Sequence, residues 1–151
     1  MIKNRAEIRR LMITLNKIDG IYYLIARKSG TKENMLSLLY ALSDGKSHSQ
    51  KQICEEWLIP KTTINTVIKE CIQNGYVALS STGTKEKKIE LTETGKEFTQ
   101  NLLAELFEME DSALAQTITE YSPDFISAIE YFTEMMNQKL SDYHGEQTHE
   151  S

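Results

Sequence analysis

The sequence predicts a mainly α-helical fold that carries one small β-hairpin. Apolar residues recur at spacings of three and four over most of the chain, which is the period of one helix face. This period is interrupted between Gly75 and Leu91, where strand-forming residues flank a polar segment rich in Ser, Thr, Gly and Lys. With 151 residues, the chain is long enough for one domain with a core and too short for two independent ones.

Two short helices are predicted in the middle of the chain. Ser49 is a suitable N-cap, and Gln52 follows it by three residues, which is the spacing of a capping box that satisfies two backbone donors. Ile53, Cys54 and Trp57 then form one apolar face. After the period breaks, Pro60 suits the first turn of a second helix, so a tight turn should join the two.

The second helix of the pair has two contrasting faces. Its inward positions hold Ile64, Val67, Ile68 and Cys71, while its open face is small, polar and cationic, with Lys61, Thr62, Asn65, Thr66 and Lys69. Asn can bond an adenine edge, Thr can contact a thymine methyl or a phosphate, and Lys can reach phosphate or guanine. A solvated helix face is the simpler interpretation when this segment is taken alone.

The hairpin that follows favours a DNA-binding interpretation. Gly75 should end the second helix, residues 76–79 should form a strand, and residues 89–91 should form the returning strand. The tip between them carries Lys85, Lys87 and Lys88, and such a tip can lie along a phosphate backbone or enter a minor groove. A helix pair followed by this hairpin is the element order of a winged helix-turn-helix.

These segments resemble the multiple antibiotic resistance regulator (MarR) family of winged helix-turn-helix transcription factors. The resemblance rests on four segments, 49–54 (SQKQIC), 60–68 (PKTTINTVI), 74–77 (NGYV) and 91–96 (LTETGK). The Asp-x-Arg that usually occupies the family's wing is replaced here by Gly83 and Lys85, which weakens the expected minor-groove contact because Lys lacks the planar fork of Arg. The candidate DNA-binding residues are Ser49, Gln50, Lys51, Lys61, Thr62, Thr63, Asn65, Thr66, Lys69, Lys85, Lys87 and Lys88.

Long helices are predicted at both ends of the chain. The first runs from near the start to about Ala26, and Thr31 should cap the next. Beyond the wing, Thr94 should cap a helix whose apolar positions are Phe98, Leu102, Leu106 and Met109. Ser122 and Pro123 should begin the last helix. The expected organisation is one domain, with a DNA-binding lobe at 31–94, dimerisation helices at 1–28 and 96–143, and a flexible tail at 144–151.

The apolar stripes of the terminal helices have too little chain around them to be covered on both sides, which favours a homodimer. The resemblance implies the same assembly, with two winged helices presented to adjacent turns of a pseudo-palindromic operator. The alternative is that these stripes close an intramolecular helical core.

The charge distribution is uneven along the chain. Residues 1–44, 45–92 and 93–151 carry net charges of +4, +2 and −11, within a total of −5. A net-acidic protein can still bind DNA when its basic residues share one face, since salt screens the acidic part over about 8 Å. The acidic end should stay away from the DNA.

No enzymatic or metal site is expected. The sequence has no Gly-rich phosphate loop, nucleophile triad or cluster of ligating residues, and Cys54 and Cys71 lack the spacing of a metal or redox motif. Both cysteines are expected to be small core residues. No cofactor is predicted, and the absence of a signal peptide or membrane-spanning run predicts a cytoplasmic protein with no membrane association.

The expected function is transcriptional regulation, most simply repression, by binding double-stranded DNA. The resemblance further implies a small aromatic or phenolic effector, for which Tyr22, Tyr23, Arg27 and Tyr40 are the nearby candidates, and ordinary amphipathic packing is the simpler interpretation of these tyrosines. The alternative function is a winged helix used only for protein contact, because a fold does not determine its use.

Overall fold

The computed structural model describes residues 4–81, 83 and 86–147, with side chains described up to Tyr143. Among them the elements occur in the order α1 (Arg5–Lys28), α2 (Glu33–Leu42), β1 (His48–Ser49), α3 (Gln50–Trp57), α4 (Lys61–Gln73), β2 (Val77–Ser81), β3 (Lys87–Leu91), α5 (Glu93–Glu120) and α6 (Asp124–Gln147). The chain divides into two compact units, residues 1–106 and 107–151. The mainly helical fold with a β wing is confirmed.

The wing is a three-stranded antiparallel sheet with the strand order β1-β3-β2. Ile89 of β3 pairs with His48 on one side and with Leu79 on the other. The sequence predicted only the hairpin formed by β2 and β3. β1 has two residues, too few to show an alternating pattern, so only its pairing with β3 reveals it.

The core lies between α2, α3, α4 and the wing. The four residues predicted to face inward from α4, namely Ile64, Val67, Ile68 and Cys71, are all buried, and they pack with Leu38, Leu39, Leu42, Ile53 and Ile89. Trp57 departs from the prediction, because 38% of its surface is exposed instead of being buried in the core. It packs on Tyr40, at the edge of this core, with ring centroids 5.2 Å apart.

The helix starts differ from the predictions in detail. Ser49 does cap α3, accepting a hydrogen bond from the Gln52 backbone N–H at 3.0 Å, while the Gln52 side-chain NH2 group donates to Glu56 at 3.0 Å. Pro60 is the N-cap of α4 and not its first helical residue. Its carbonyl accepts the first helical hydrogen bond, from the Ile64 N–H at 2.9 Å.

The prediction that Thr31 caps α2 is wrong. The N-cap is Lys32, which makes no side-chain capping bond. The backbone of Thr31 takes part in ending α1, where Gly30 adopts a φ of +70° and the Thr31 N–H donates to the Ala26 carbonyl. This is the Schellman arrangement, in which a left-handed glycine lets the chain leave the helix. Gly75 ends α4 in the same manner, as predicted.

The start of α5 is set by Thr92 and not by Thr94. The Thr92 hydroxyl accepts a hydrogen bond from the Gly95 N–H at 2.9 Å and donates to the Gly75 carbonyl at 2.6 Å, while the Thr92 N–H donates to the Tyr76 carbonyl. Thr92 therefore joins the start of α5 to the end of α4. The Tyr76 ring stacks on Phe98 at 4.1 Å and reinforces this junction.

The apolar stripe of α5 is shifted from its predicted positions. Gly95, Thr99, Leu103 and Leu106 are buried, whereas Phe98 and Leu102 lie at the edge of the core. The side chain of Met109 is 50% exposed. Thr99 was not predicted to be inside, because a hydroxyl interrupts the apolar pattern.

The Ser122 hydroxyl accepts a hydrogen bond from the Asp124 N–H at 3.2 Å, as a capping residue does, but α6 begins at Asp124 and Pro123 precedes it instead of being its first residue. α6 continues to Gln147, four residues into the segment predicted to be a flexible tail, and residues 148–151 lie outside the described part of the chain.

Candidate nucleic-acid interface

The exposed face of α4 is the centre of the candidate site. Its buried residues anchor the helix in the core, and this leaves Lys61, Thr62, Asn65, Thr66 and Lys69 exposed, as the sequence predicted. Thr63 is half-buried. The helix thus presents amide, hydroxyl and ammonium groups on a rigid, internally packed support, which is the chemistry that reads base edges and phosphates in a major groove.

Two hydrogen bonds orient the polar groups on this face. The Gln50 side-chain amide, at the start of α3, donates to the Asn65 side-chain oxygen. With its oxygen engaged, Asn65 has its amide N–H groups available outward, and Gln50 retains its own carbonyl oxygen. The Thr66 hydroxyl donates to the Thr62 carbonyl at 3.2 Å, so its proton is already committed to the helix.

A groove lies beside α4, between the start of α3 and the wing. Its lining brings together Gln50, Lys51, Lys61 and Lys87, with Cys54 and the carboxylates of Glu55 and Glu86. Lys51 lies 3.8 Å from Glu55, and both side chains are largely exposed, so this pair has little strength in water. The ammonium group of Lys51 can therefore exchange its partner for a phosphate.

The wing places its lysines beside this groove. Lys87 pairs with Ser81 at the outer end of β3 and is exposed, while Lys88 pairs with both Ser80 and Ser49 and is half-buried. Ser49 is also half-buried, so its principal visible role is the capping of α3. Lys85, the third predicted wing lysine, lies outside the described residues.

The two cysteines differ in their surroundings, and both are free. Burial raises the pKa of the Cys71 thiol to about 11, which keeps it protonated and unreactive at neutral pH. Cys54 is half-buried and packs against the core from the groove side.

A second, smaller cavity lies between α1, α2 and the end of α3. It has a volume of about 190 Å³, and Tyr22 and Tyr40, two of the four predicted effector residues, line it. Tyr23 and Arg27 are exposed and do not line it. The other lining residues were not predicted, because their proximity depends on how the helices pack; they are Asp19, Glu33, Leu36, Ser37 and Trp57.

Other kinds of site are not found in the described part of the chain. No group of three or more His, Cys, Asp or Glu side chains there could hold a metal ion. None of the helices described combines the length and apolar character needed to cross a lipid bilayer.

The fold and this interface define a winged helix-turn-helix protein. Residues 30–86 match the family model described as MarR family. No curated protein matches the chain by sequence. The matched segment, which contains α2, α3 and α4, is therefore similar to the MarR family of winged helix-turn-helix transcriptional regulators.

Solved structures similar to this chain agree with the fold. NMB1585, a MarR family regulator from Neisseria meningitidis, is 23% identical with a TM-score of 0.78, covering 90% of this chain and 97% of that one. MarR from Oenococcus oeni is 17% identical with a TM-score of 0.65, covering 86% and 97% of the two chains. NadR, solved in complex with 4-hydroxyphenylacetate, is 12% identical with a TM-score of 0.65, covering 83% and 88%.

Proposed function

We propose that this protein is a sequence-specific repressor that binds a pseudo-palindromic operator in double-stranded DNA as a homodimer. The observation that carries the proposal is the exposed face of α4, where Asn65 and Thr66 lie among lysines on a helix anchored by four buried residues. Asn65 and Thr66 read base edges, while Lys61, Lys69 and the wing lysines neutralise phosphates.

The hydrogen bond between Gln50 and Asn65 supports a reading role. A free amide on an exposed helix would sample several rotamers, and ordering it on DNA would cost conformational entropy. Here α3 holds the Asn65 amide in one orientation before DNA arrives. The pair offers a donor from Asn65 and an acceptor from Gln50, which matches the acceptor and donor that adenine presents in the major groove.

The homodimer is supported by apolar side chains that stay exposed on the terminal helices. On α1, Ile21 and Leu24 are 53% and 61% exposed, and on α6, Met136 and Leu140 are 56% and 55% exposed. Contiguous apolar surface of this kind on long helices marks an interaction surface. A second copy of the chain covers these faces, so residues 1–28 and 96–143 serve dimerisation and residues 31–94 serve DNA binding.

The cavity at Tyr22 and Tyr40 is the site of a small aromatic effector that releases the operator. NadR, a similar structure, was solved with 4-hydroxyphenylacetate, and this supports an aromatic ring in the effector without setting its charge. The cavity in this chain lies against Trp57, at the end of the helix that precedes the turn into α4, so a ligand there reaches the recognition helix through a short path.

The test is DNA binding to the promoter fragment next to its own gene, measured by fluorescence anisotropy over a range of salt concentrations. The logarithm of the affinity for the promoter fragment should fall linearly with the logarithm of the salt concentration. A scrambled fragment should bind at least about a thousandfold more weakly. Deleting the gene should raise transcription from the same promoter. Absence of any salt-sensitive binding would refute DNA recognition and leave the protein-contact alternative.

A further inference from the structure

The cavity between α1, α2 and α3 has a lining that a phenolic acid does not fit. Three aromatic rings, those of Tyr22, Tyr40 and Trp57, share it with two carboxylates, those of Asp19 and Glu33. Its volume of about 190 Å³ is below the ~300–1,000 Å³ of sites for drug-sized molecules, so it suits a ligand with one small ring or a few carbon atoms.

The rings form a continuous row. Tyr22 meets Tyr40 edge to face with centroids 6.3 Å apart, and Tyr40 meets Trp57 at 5.2 Å with an angle of 57° between the rings. Because neighbouring rings are inclined to one another, the cavity wall offers aromatic faces in more than one direction. Aromatic faces carry negative potential and attract cations, and trimethylammonium groups are bound by walls of this kind.

The carboxylates add negative charge at the same cavity. Asp19 lies one turn before Tyr22 on α1, and Glu33 lies in the first turn of α2. In the described part of the chain, neither carboxylate has a Lys, Arg or His nitrogen within 4 Å. Among the described residues that line the cavity, none has a cationic side chain, and Arg27 is not one of them. An anionic ligand would therefore meet two carboxylates and no counter-charge, which is unfavourable in a partly enclosed site.

We propose that this cavity binds a small organic cation, an aromatic or alkyl ammonium compound, with its charged nitrogen between Asp19, Glu33 and the aromatic faces. This assignment names the chemical class of the effector and, for its regulatory consequence, rests on the proposed function. The ligand packs against Trp57, the last residue of α3. Leu58 follows in a left-handed conformation with φ of +50°, and Pro60 is the N-cap of α4, so movement of the Trp57 ring reaches the cap of the recognition helix within three residues.

Binding can be measured without DNA, because Trp57 is the only tryptophan in the chain and lies in the cavity. The probes are benzyltrimethylammonium, benzyl alcohol and benzoate, which share a ring and differ in charge, titrated at constant ionic strength while Trp57 fluorescence is recorded. Saturable quenching should occur with the ammonium probe at concentrations at which benzoate has no effect. Equal or tighter binding of benzoate, or no saturable signal from the ammonium probe, would overturn the proposal.

Variants separate the carboxylates from general ring stacking. Asp19→Asn and Glu33→Gln should each weaken binding of the ammonium probe by at most about fivefold, as expected for exposed charges, and the double variant by about twentyfold. Glu7→Gln, an exposed change in the first turn of α1, is the matched control and should leave affinity unchanged. Unchanged affinity in the double variant would refute the role of the carboxylates, provided that its circular dichroism spectrum matches that of the wild type.

Adding operator DNA distinguishes this proposal from the proposed function. Benzyltrimethylammonium should release the DNA from the wild type and not from the double variant. Quenching of Trp57 without release would retain the cation site and refute its coupling to α4. A chain that binds the cation and no operator would refute the proposed function alone.

Discussion

Gly95→Ala should disrupt the junction that holds the wing against α5. A Cβ at this position would lie 2.7 Å from the Tyr76 carbonyl carbon and closer still to its oxygen, whereas ordinary contacts begin at 3.4 Å. The obstacle is backbone and not a flexible side chain, so α5 and the end of α4 must separate by roughly 1 Å.

The cost follows from the contacts that this separation would break. The Thr92 N–H donates to the Tyr76 carbonyl at 3.0 Å, the Thr92 hydroxyl bridges Gly75 and Gly95, and Tyr76 stacks on Phe98. Losing two of these hydrogen bonds at about 1 kcal/mol each, with about 1 kcal/mol of ring stacking, gives about 3 kcal/mol. Ala is favoured over Gly in a helix by about 1 kcal/mol, so the net loss should be about 2 kcal/mol.

Urea unfolding at fixed protein concentration measures this change in the free energy of unfolding. Gly20→Ala is the matched control, because Gly20 is also inside a helix and a Cβ there would have no neighbour within 4 Å. That variant should be more stable by about 0.5–1 kcal/mol. If Gly95→Ala were stabilised by the same amount, the close approach of the two backbones would not exist.

Four further changes test other parts of the molecule. Asn65→Ala should weaken the binding free energy for the operator by about 1–3 kcal/mol in anisotropy measurements and leave binding to nonspecific DNA nearly unchanged. Equal losses on both DNAs would contradict a role in reading bases. Changing Lys87 and Lys88 to Ala should reduce the magnitude of the negative slope of log affinity against log salt by about 0.9 per lost phosphate contact in each subunit. An unchanged slope would mean that the wing is ordinary solvated surface. Met136→Asp, at a side chain 56% exposed, should yield monomers in sedimentation velocity, since a charge would be buried at the interface; an intact dimer would place that interface elsewhere. Thr99→Val should stabilise the fold by about 1 kcal/mol in urea unfolding, because the buried Thr99 hydroxyl has no hydrogen-bond partner among the described residues; lower stability would mean that the hydroxyl is satisfied.

The properties that the sequence predicted correctly are those that depend on one turn of helix or one tight turn. The inward face of α4 follows from the spacing of Ile64, Val67, Ile68 and Cys71, and the cap at Ser49 needs only a hydroxyl three residues before an N–H. The left-handed exit at Gly75 follows from the absence of a Cβ. Because the interacting atoms are close in sequence, the pattern of residue types is sufficient.

Contacts between distant segments were not visible in the sequence. Thr92 and Thr94 are equally good capping residues by type, and the choice of Thr92 depends on the Gly75 carbonyl, 17 residues earlier, which accepts its hydroxyl. Likewise, β1 is recognised as a strand only because β3 lies beside it.

The two candidate sites show the same division. The sequence alone determined which face of α4 is polar and cationic, because burial of the opposite face follows from helical period. It selected Tyr22, Tyr23, Arg27 and Tyr40 as ligand-binding candidates. Tyr22 and Tyr40 line the cavity together with Asp19, Glu33 and Trp57, whereas Tyr23 and Arg27 do not. Only the packing of α1 and α3 on α2 brings those side chains to one cavity, since their separation in sequence carries no information about the angle at which the helices meet.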